Sequence, residues 1–158
     1  MSTLKKSKIR RLNYNRNIQP VNTIIIDDEF YEYKDGLNID VACILISHVI
    51  RKIENYENPD ITYGELANNV GKGLTARSIE PFLGNVSQLC ADNELPYISG
   101  VVVNKDTRIP GDGFFEFFYN IPKGDLDIFI KCKNQIIDEK RWIYLLNAIE
   151  TRSRVYRY

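Results

Sequence analysis

Four residues, Thr62-Tyr63-Gly64-Glu65, mark the start of a helix more firmly than any other stretch of the chain. In this pattern the threonine hydroxyl accepts the backbone N–H three residues on, and the glutamate carboxylate reaches back to the threonine's own N–H. The spacing predicts a helix from Tyr63 to about Gly71, where glycine tolerates a left-handed exit. Gly71-Lys72-Gly73-Leu74 then reads as a turn. A second helix is expected to start at Thr75 or Ser78 and run to about Asn93, because Ile79, Phe82, Leu83, Val86, Leu89 and Cys90 share one apolar stripe. Pro81 is compatible with that helix only in its first turn, where no intrahelical donor is lost.

Downstream of Glu94-Leu95-Pro96, the β-branched run Ile98 to Val103 predicts a strand, and Asn104 to Arg108 is turn-forming and charged. Pro110 to Gly113 adds a second turn, and the aromatic run Phe114 to Tyr119 is read as a returning strand. Helix, short turn, helix and two-stranded ribbon is the order of a winged helix-turn-helix, here spanning residues 60–113.

The expected fold class is α+β, a winged helix-turn-helix core with an N-terminal strand or ribbon extension and a C-terminal helix. At 158 residues the chain suits one domain. Residues 1–20 read as a basic flexible arm, 21–150 as the domain and 151–158 as a basic tail. In the domain, Thr23-Ile24-Ile25-Ile26 and the alternating acids and aromatics from Asp27 to Tyr33 suggest a short strand pair, and Asp35-Gly36 a turn. Helical spacing covers Ile39 to about Tyr56 and again Asp138 to Glu150.

The residues exclude more chemistry than they supply. Cys43, Cys90 and Cys132 are odd in number and far apart, as expected of reduced, buried thiols. His48 is the one histidine, so no Cys/His tetrahedron for zinc can be assembled and no metal or cofactor is expected. Asp125-x-Asp127 and Asp138-Glu139-Lys140 lack the third acid a nuclease site needs, and read as surface charge. Gly111-x-Gly113 lacks the strand-to-helix context of a phosphate loop. The acidic stretch Asp27 to Glu32 is expected to be a solvated loop, with cation binding or DNA mimicry as the alternatives. No run approaches the roughly 20 apolar residues of a bilayer span, so a cytoplasmic protein without membrane contact is expected.

Thr62-Tyr63-Gly64-Glu65-Leu66-Ala67, Gly71, Ala76-Arg77-Ser78-Ile79 and Leu95-Pro96 before Val101-Val102-Val103 together resemble the DNA-binding domain of the alkyltransferase and alkyltransferase-like proteins. The run from Leu95-Pro96 through Asn104-Lys105 to Pro110-Gly111-Asp112-Gly113 is also similar to uncharacterised bacterial winged-helix domains. The likeness covers about a third of the chain. It implies that Arg77 stands where the family inserts an arginine into the duplex beside a flipped nucleotide. The family's Pro-Cys-His-Arg motif is replaced here by Pro96-Tyr97-Ile98-Ser99, so the acceptor thiol and its histidine are missing and alkyl transfer is excluded.

A winged helix presents the start of its second helix to the major groove and its wing to phosphate or the minor groove. The expected nucleic-acid contacts are therefore Lys72, Thr75, Arg77, Ser78, Tyr97, Asn104, Lys105 and Arg108, aided by Lys5, Lys6, Arg10 and Arg11 of the arm. Residues 61–113 set four bases against six acids, so the arm must supply much of the attraction to phosphate. The leading expectation is a non-catalytic protein binding duplex DNA, monomeric or as a homodimer, serving as a bacterial or phage regulator or a defence-associated accessory protein. The alternative is a protein-interaction module or inhibitor that grips a protein partner through the acidic residues 27–35.

Overall fold

The computed structural model describes residues 23–156, with side chains up to Arg152. The longest helix, α2 (Leu37–Glu54), owes its position to a stripe of fully buried residues, Val41, Ala42, Leu45, Ile46 and Val49, repeating at helical spacing. Three helices pack on it: α3 (Tyr63–Val70), α4 (Glu80–Asp92) and the closing helix α7 (Trp142–Tyr156). The buried apolar residues form one continuous core from Ile26 to Ile149.

The reciprocal cap at the head of α3 is present in full: Glu65 N–H donates to Thr62 Oγ1 at 3.1 Å and Thr62 N–H to Glu65 Oε1 at 3.1 Å. Gly71 closes α3 at the expected place, but with φ 75° and ψ −141° it lies outside the expected left-handed helical region, in a conformation only glycine adopts readily. Helix α4 starts later than its apolar stripe, at Glu80, with Pro81 in the first turn.

The ribbon expected after α4 does not form. Ile98–Val101 is a 3-10 turn, and the strand that follows, β2 (Val102–Val103), pairs in parallel with β1 (Ile61–Thr62), Ile61 opposite Val102 and Thr62 opposite Val103. The aromatic run read as a returning strand is instead helix α5 (Asp112–Tyr119). Helical spacing buries Phe114, Phe115 and Phe118 together and leaves Glu116 in solvent. A strand would have placed Glu116 on the same face as Phe114 and Phe118, at the cost of burying a carboxylate. The coarse class, helices with a small sheet, stands; the antiparallel wing does not.

Two further expectations change. No N-terminal ribbon forms among the described residues: Thr23 to Asp27 belongs to no regular element and Asp28–Glu32 is a short helix, α1, joined to α2 by the 3-10 turn Tyr33–Gly36. Asn38 ties that corner together, donating to the Phe30 carbonyl at 3.1 Å and accepting from Asn85 Nδ2 of α4 at 3.2 Å. The C-terminal region holds two helices, α6 (Leu126–Asp138) and α7, and α7 continues into the stretch expected as a basic tail, where Arg152 pairs with Asp28.

Backbone contact closest to its limit occurs at Gly100 of the 3-10 turn. A Cβ there would stand 2.5 Å from Cys132 Sγ of α6 and 3.3 Å from Phe114 Cζ of α5. Ser87 of α4 holds the same turn from the other side, its hydroxyl 2.6 Å from that of Ser99 and 2.9 Å from the Ser99 N–H. The turn is thus clamped between three helices, and Gly100→Ala should destabilise the fold by about 1–3 kcal/mol through overpacking. Cys132→Ala in the same chain should recover part of that loss. Thermal melts in which the double variant merely adds the two single losses would contradict the contact.

Candidate nucleic-acid interface

The segment between α3 and α4 carries four of the expected contact residues, Lys72, Thr75, Arg77 and Ser78, and its shape is set by its own hydroxyls. Ser78 N–H donates to Thr75 Oγ1 at 3.1 Å, and Thr75 N–H donates to Ser78 Oγ at 2.8 Å. The Thr75 hydroxyl is also 3.2 Å from Ser78 Oγ. This is the capping-box logic with serine in place of glutamate, and it holds Ala76 and Arg77 in a tight exposed turn just before α4. Arg77 has no carboxylate partner among the described residues. Lys72 differs: its Nζ lies 2.7 Å from Asp40 Oδ2 of α2, so part of its charge is already answered.

Asn104, Lys105 and Arg108 sit on a loop that closes on itself rather than extending as a wing. Asn104 N–H donates to the Ile109 carbonyl at 2.9 Å and Arg108 N–H to the Asn104 carbonyl at 3.0 Å. Lys105 and Arg108 are exposed, and Asn104 is half-buried. Arg108 lies near enough to Glu65 to help hold that carboxyl below its ordinary range, the main cause being the capping hydrogen bond to Thr62.

Tyr63, the first residue of α3, anchors the end of that loop. Its hydroxyl accepts the Gly111 N–H at 3.0 Å, which fixes the far end of the loop, and burial raises its pKa with a smaller contribution from Glu80 at the head of α4.

Tyr97 is a correction. It is 1% exposed, stacked on Phe118 with ring centroids 4.5 Å apart and edge-on to Phe114 and Tyr119, so it offers nothing to a partner. Its position after Pro96 places it at the start of the buried 3-10 turn, and an aromatic there serves the core. Lys5, Lys6, Arg10 and Arg11 lie outside the described residues.

Two of the three thiols, Cys90 and Cys132, are buried as expected, whereas Cys43 is only partly buried. Burial pushes Cys90 and Cys132 up to about 12, which keeps both protonated at neutral pH. No group of three potential ligands among the described residues is placed to hold a metal ion. No described helix is long and apolar enough to cross a membrane.

The second feature of the surface was not legible as a site. A groove of about 970 Å³ runs along α4, floored by Glu80, Gly84, Gln88 and Asp92, which repeat every fourth residue. One wall carries Asp27, Glu29, Phe30 and Tyr33, and the other Phe114 and Phe117 of α5. The alternation of acids and aromatics in residues 27–33 was the available signal, but reading Phe114 to Tyr119 as a strand hid the opposite wall.

Charge divides along the same line. Six of the 21 Lys and Arg residues fall in residues 1–20, where there is no acid, leaving 15 cations against 21 acids in the remainder, a net of −6. No protein-family model, curated protein or solved structure matches the chain.

His48 of α2 is a structural group. Its Nε2 is 2.8 Å from the Pro59 carbonyl, which can only accept, so Nε2 carries the proton and Nδ1 is left to accept from Arg51 Nη2 at 3.4 Å. Burial, opposed by the Pro59 bond and reinforced by Arg51 and Lys52, lowers its pKa from the ordinary 6.5. The unfolded chain therefore binds this proton more tightly than the folded one. The stability His48 confers is complete above pH 6.5 and is lost as the pH falls from there through the folded pKa. Denaturant midpoints should drop between pH about 7.5 and about 5.5, and less so in His48→Gln. Parallel pH profiles for the two chains would contradict this assignment.

Proposed function

We propose that the chain is a non-catalytic protein that binds duplex DNA through the Thr75 to Ile79 turn and the Asn104 to Arg108 loop. The observation that carries this reading is Arg77, exposed, without an acidic partner among the described residues, and held in a turn whose backbone is locked by Thr75 and Ser78. A pre-set turn loses little entropy when it meets a ligand. Two cations on a self-closed loop, Lys105 and Arg108, are suited to phosphate contact.

The net charge of −6 outside residues 1–20 requires the basic arm to provide much of the affinity. Binding of this kind is strongly salt-dependent and modest when the arm is neutralised. The resemblance of Ala76-Arg77-Ser78-Ile79 to the alkyltransferase DNA-binding domains would direct Arg77 at the duplex, without the wing and without the thiol chemistry. A regulator or a defence-associated accessory protein of a bacterium or phage is the role in keeping with a reader that performs no reaction.

A second reading, a protein-interaction module, is favoured by the acid-lined aromatic groove beside α4. It assigns the binding role to the opposite sign of charge and makes no use of Arg77.

Anisotropy titrations with a labelled duplex at low salt separate the two. Arg77→Ala should weaken binding by about 1–3 kcal/mol, roughly 5- to 100-fold, and Lys105→Ala should reduce the salt slope by about 1. Affinity unchanged in both variants would remove the DNA reading.

A further inference from the structure

We infer that the groove along α4 is a docking site for residues 1–20 of the same chain, the basic arm. The inference does not rest on DNA binding and holds whether or not the chain binds a nucleic acid.

The groove is chemically one-sided. Asp27, Glu29, Glu80 and Asp92 line it, and among the described residues no lysine or arginine does. Asp92 accepts from Gln88 Nε2 at 2.6 Å, whereas Asp27, Glu29 and Glu80 have no ion pair among the described residues. Gln88, on the groove floor, is 9% exposed, and its Oε1 is buried without a hydrogen-bond partner. A buried acceptor without a donor is costly to maintain and points to a ligand that brings N–H groups. Phe30, Tyr33 and Phe117 add ring faces beside the carboxylates, a combination that favours cations with apolar stems. Lysine and arginine side chains meet every one of these demands.

Residues 1–20 carry Lys5, Lys6, Lys8, Arg10, Arg11 and Arg16 and no acid. Their point of entry into the fold is fixed at the groove rim. Ile25 N–H donates to Asn93 Oδ1 at 2.8 Å, and Asn93 Nδ2 donates to the Ile25 carbonyl at 2.9 Å, so the backbone at Ile25 is held beside the end of α4 at Asp92. From Glu80 to Asp92 the groove follows α4 for roughly 18 Å at the helical rise. Arg16 is nine residue steps from Ile25, an extended reach of roughly 30 Å, so the arm's cations can cover its full length. A tethered segment also competes at an effective concentration on the order of millimolar, which a free cationic peptide seldom matches.

The test is timed tryptic digestion of the full chain without nucleic acid, following cleavage after Arg10, Arg11 and Arg16 by mass spectrometry. Docking predicts that these sites are cut several-fold faster in Glu29→Lys/Glu80→Lys than in the unaltered chain. Protection should disappear at an ionic strength of about 0.5 M. Gln88→Leu should speed cleavage in the same direction. As a check independent of any change in the body, Arg10→Gln/Arg11→Gln/Arg16→Gln should lower the thermal midpoint at low salt, and should not do so in the groove variant. Equal cleavage rates in all chains, or an arm effect on the midpoint that persists in the groove variant, would overturn the inference. Protection that grows with protein concentration would overturn it too, because the occupant would then be the arm of a second copy.

Discussion

Thr62 serves two elements at once, as the last residue of β1 and as the cap of α3. The parallel pairing of Ile61-Thr62 with Val102-Val103 therefore fixes the direction of α3 and the place where the chain leaves the core after Val103. Once β2 is taken by β1, no antiparallel partner is called for. The loop from Asn104 closes on its own backbone and Gly111 is held by Tyr63. The chain then re-enters the core as a helix. The compact loop that carries Lys105 and Arg108 is a consequence of that four-residue pairing.

The parts of the fold legible in the sequence were those governed by local chemistry. The capping box, the glycine exit at Gly71, the proline in the first turn of α4 and the apolar stripe of α2 each depend on residues within a few positions of one another. What escaped the sequence was decided by distant partners. Ile98 to Val103 has the composition of a strand, yet most of it is a 3-10 turn because Gly100 must pass close to Cys132 and because Ser87 satisfies the Ser99 backbone. The aromatic run of α5 concealed its period, since five rings in six residues satisfy either spacing; Glu116 alone distinguished them. Tyr97 looked accessible for a related reason, as nothing nearby in sequence announces that Phe114 and Phe118 fold over it.

The candidate site shows the same division. Thr75, Arg77 and Ser78 could be placed together because they belong to one turn, and Lys105 and Arg108 because they belong to one loop. The groove combines α1, α4 and α5 and has no local signature beyond the acids at residues 27–32. Residues 1–20 carry six cations and no acid, and the remainder of the sequence carries a net charge of −6. Under the two proposals, contact with phosphate and contact with the groove would draw on the same cations, and one engagement would come at the expense of the other.

The most direct measurement of the central claim is an amide chemical-shift titration of the isotopically labelled full chain with an unlabelled duplex at low salt. The account predicts the largest shifts at Thr75 to Ile79 and Asn104 to Arg108, with little change along α6. Shifts confined to Asp27 to Tyr33 or to α6 and α7, or none in the turn that carries Arg77, would contradict it.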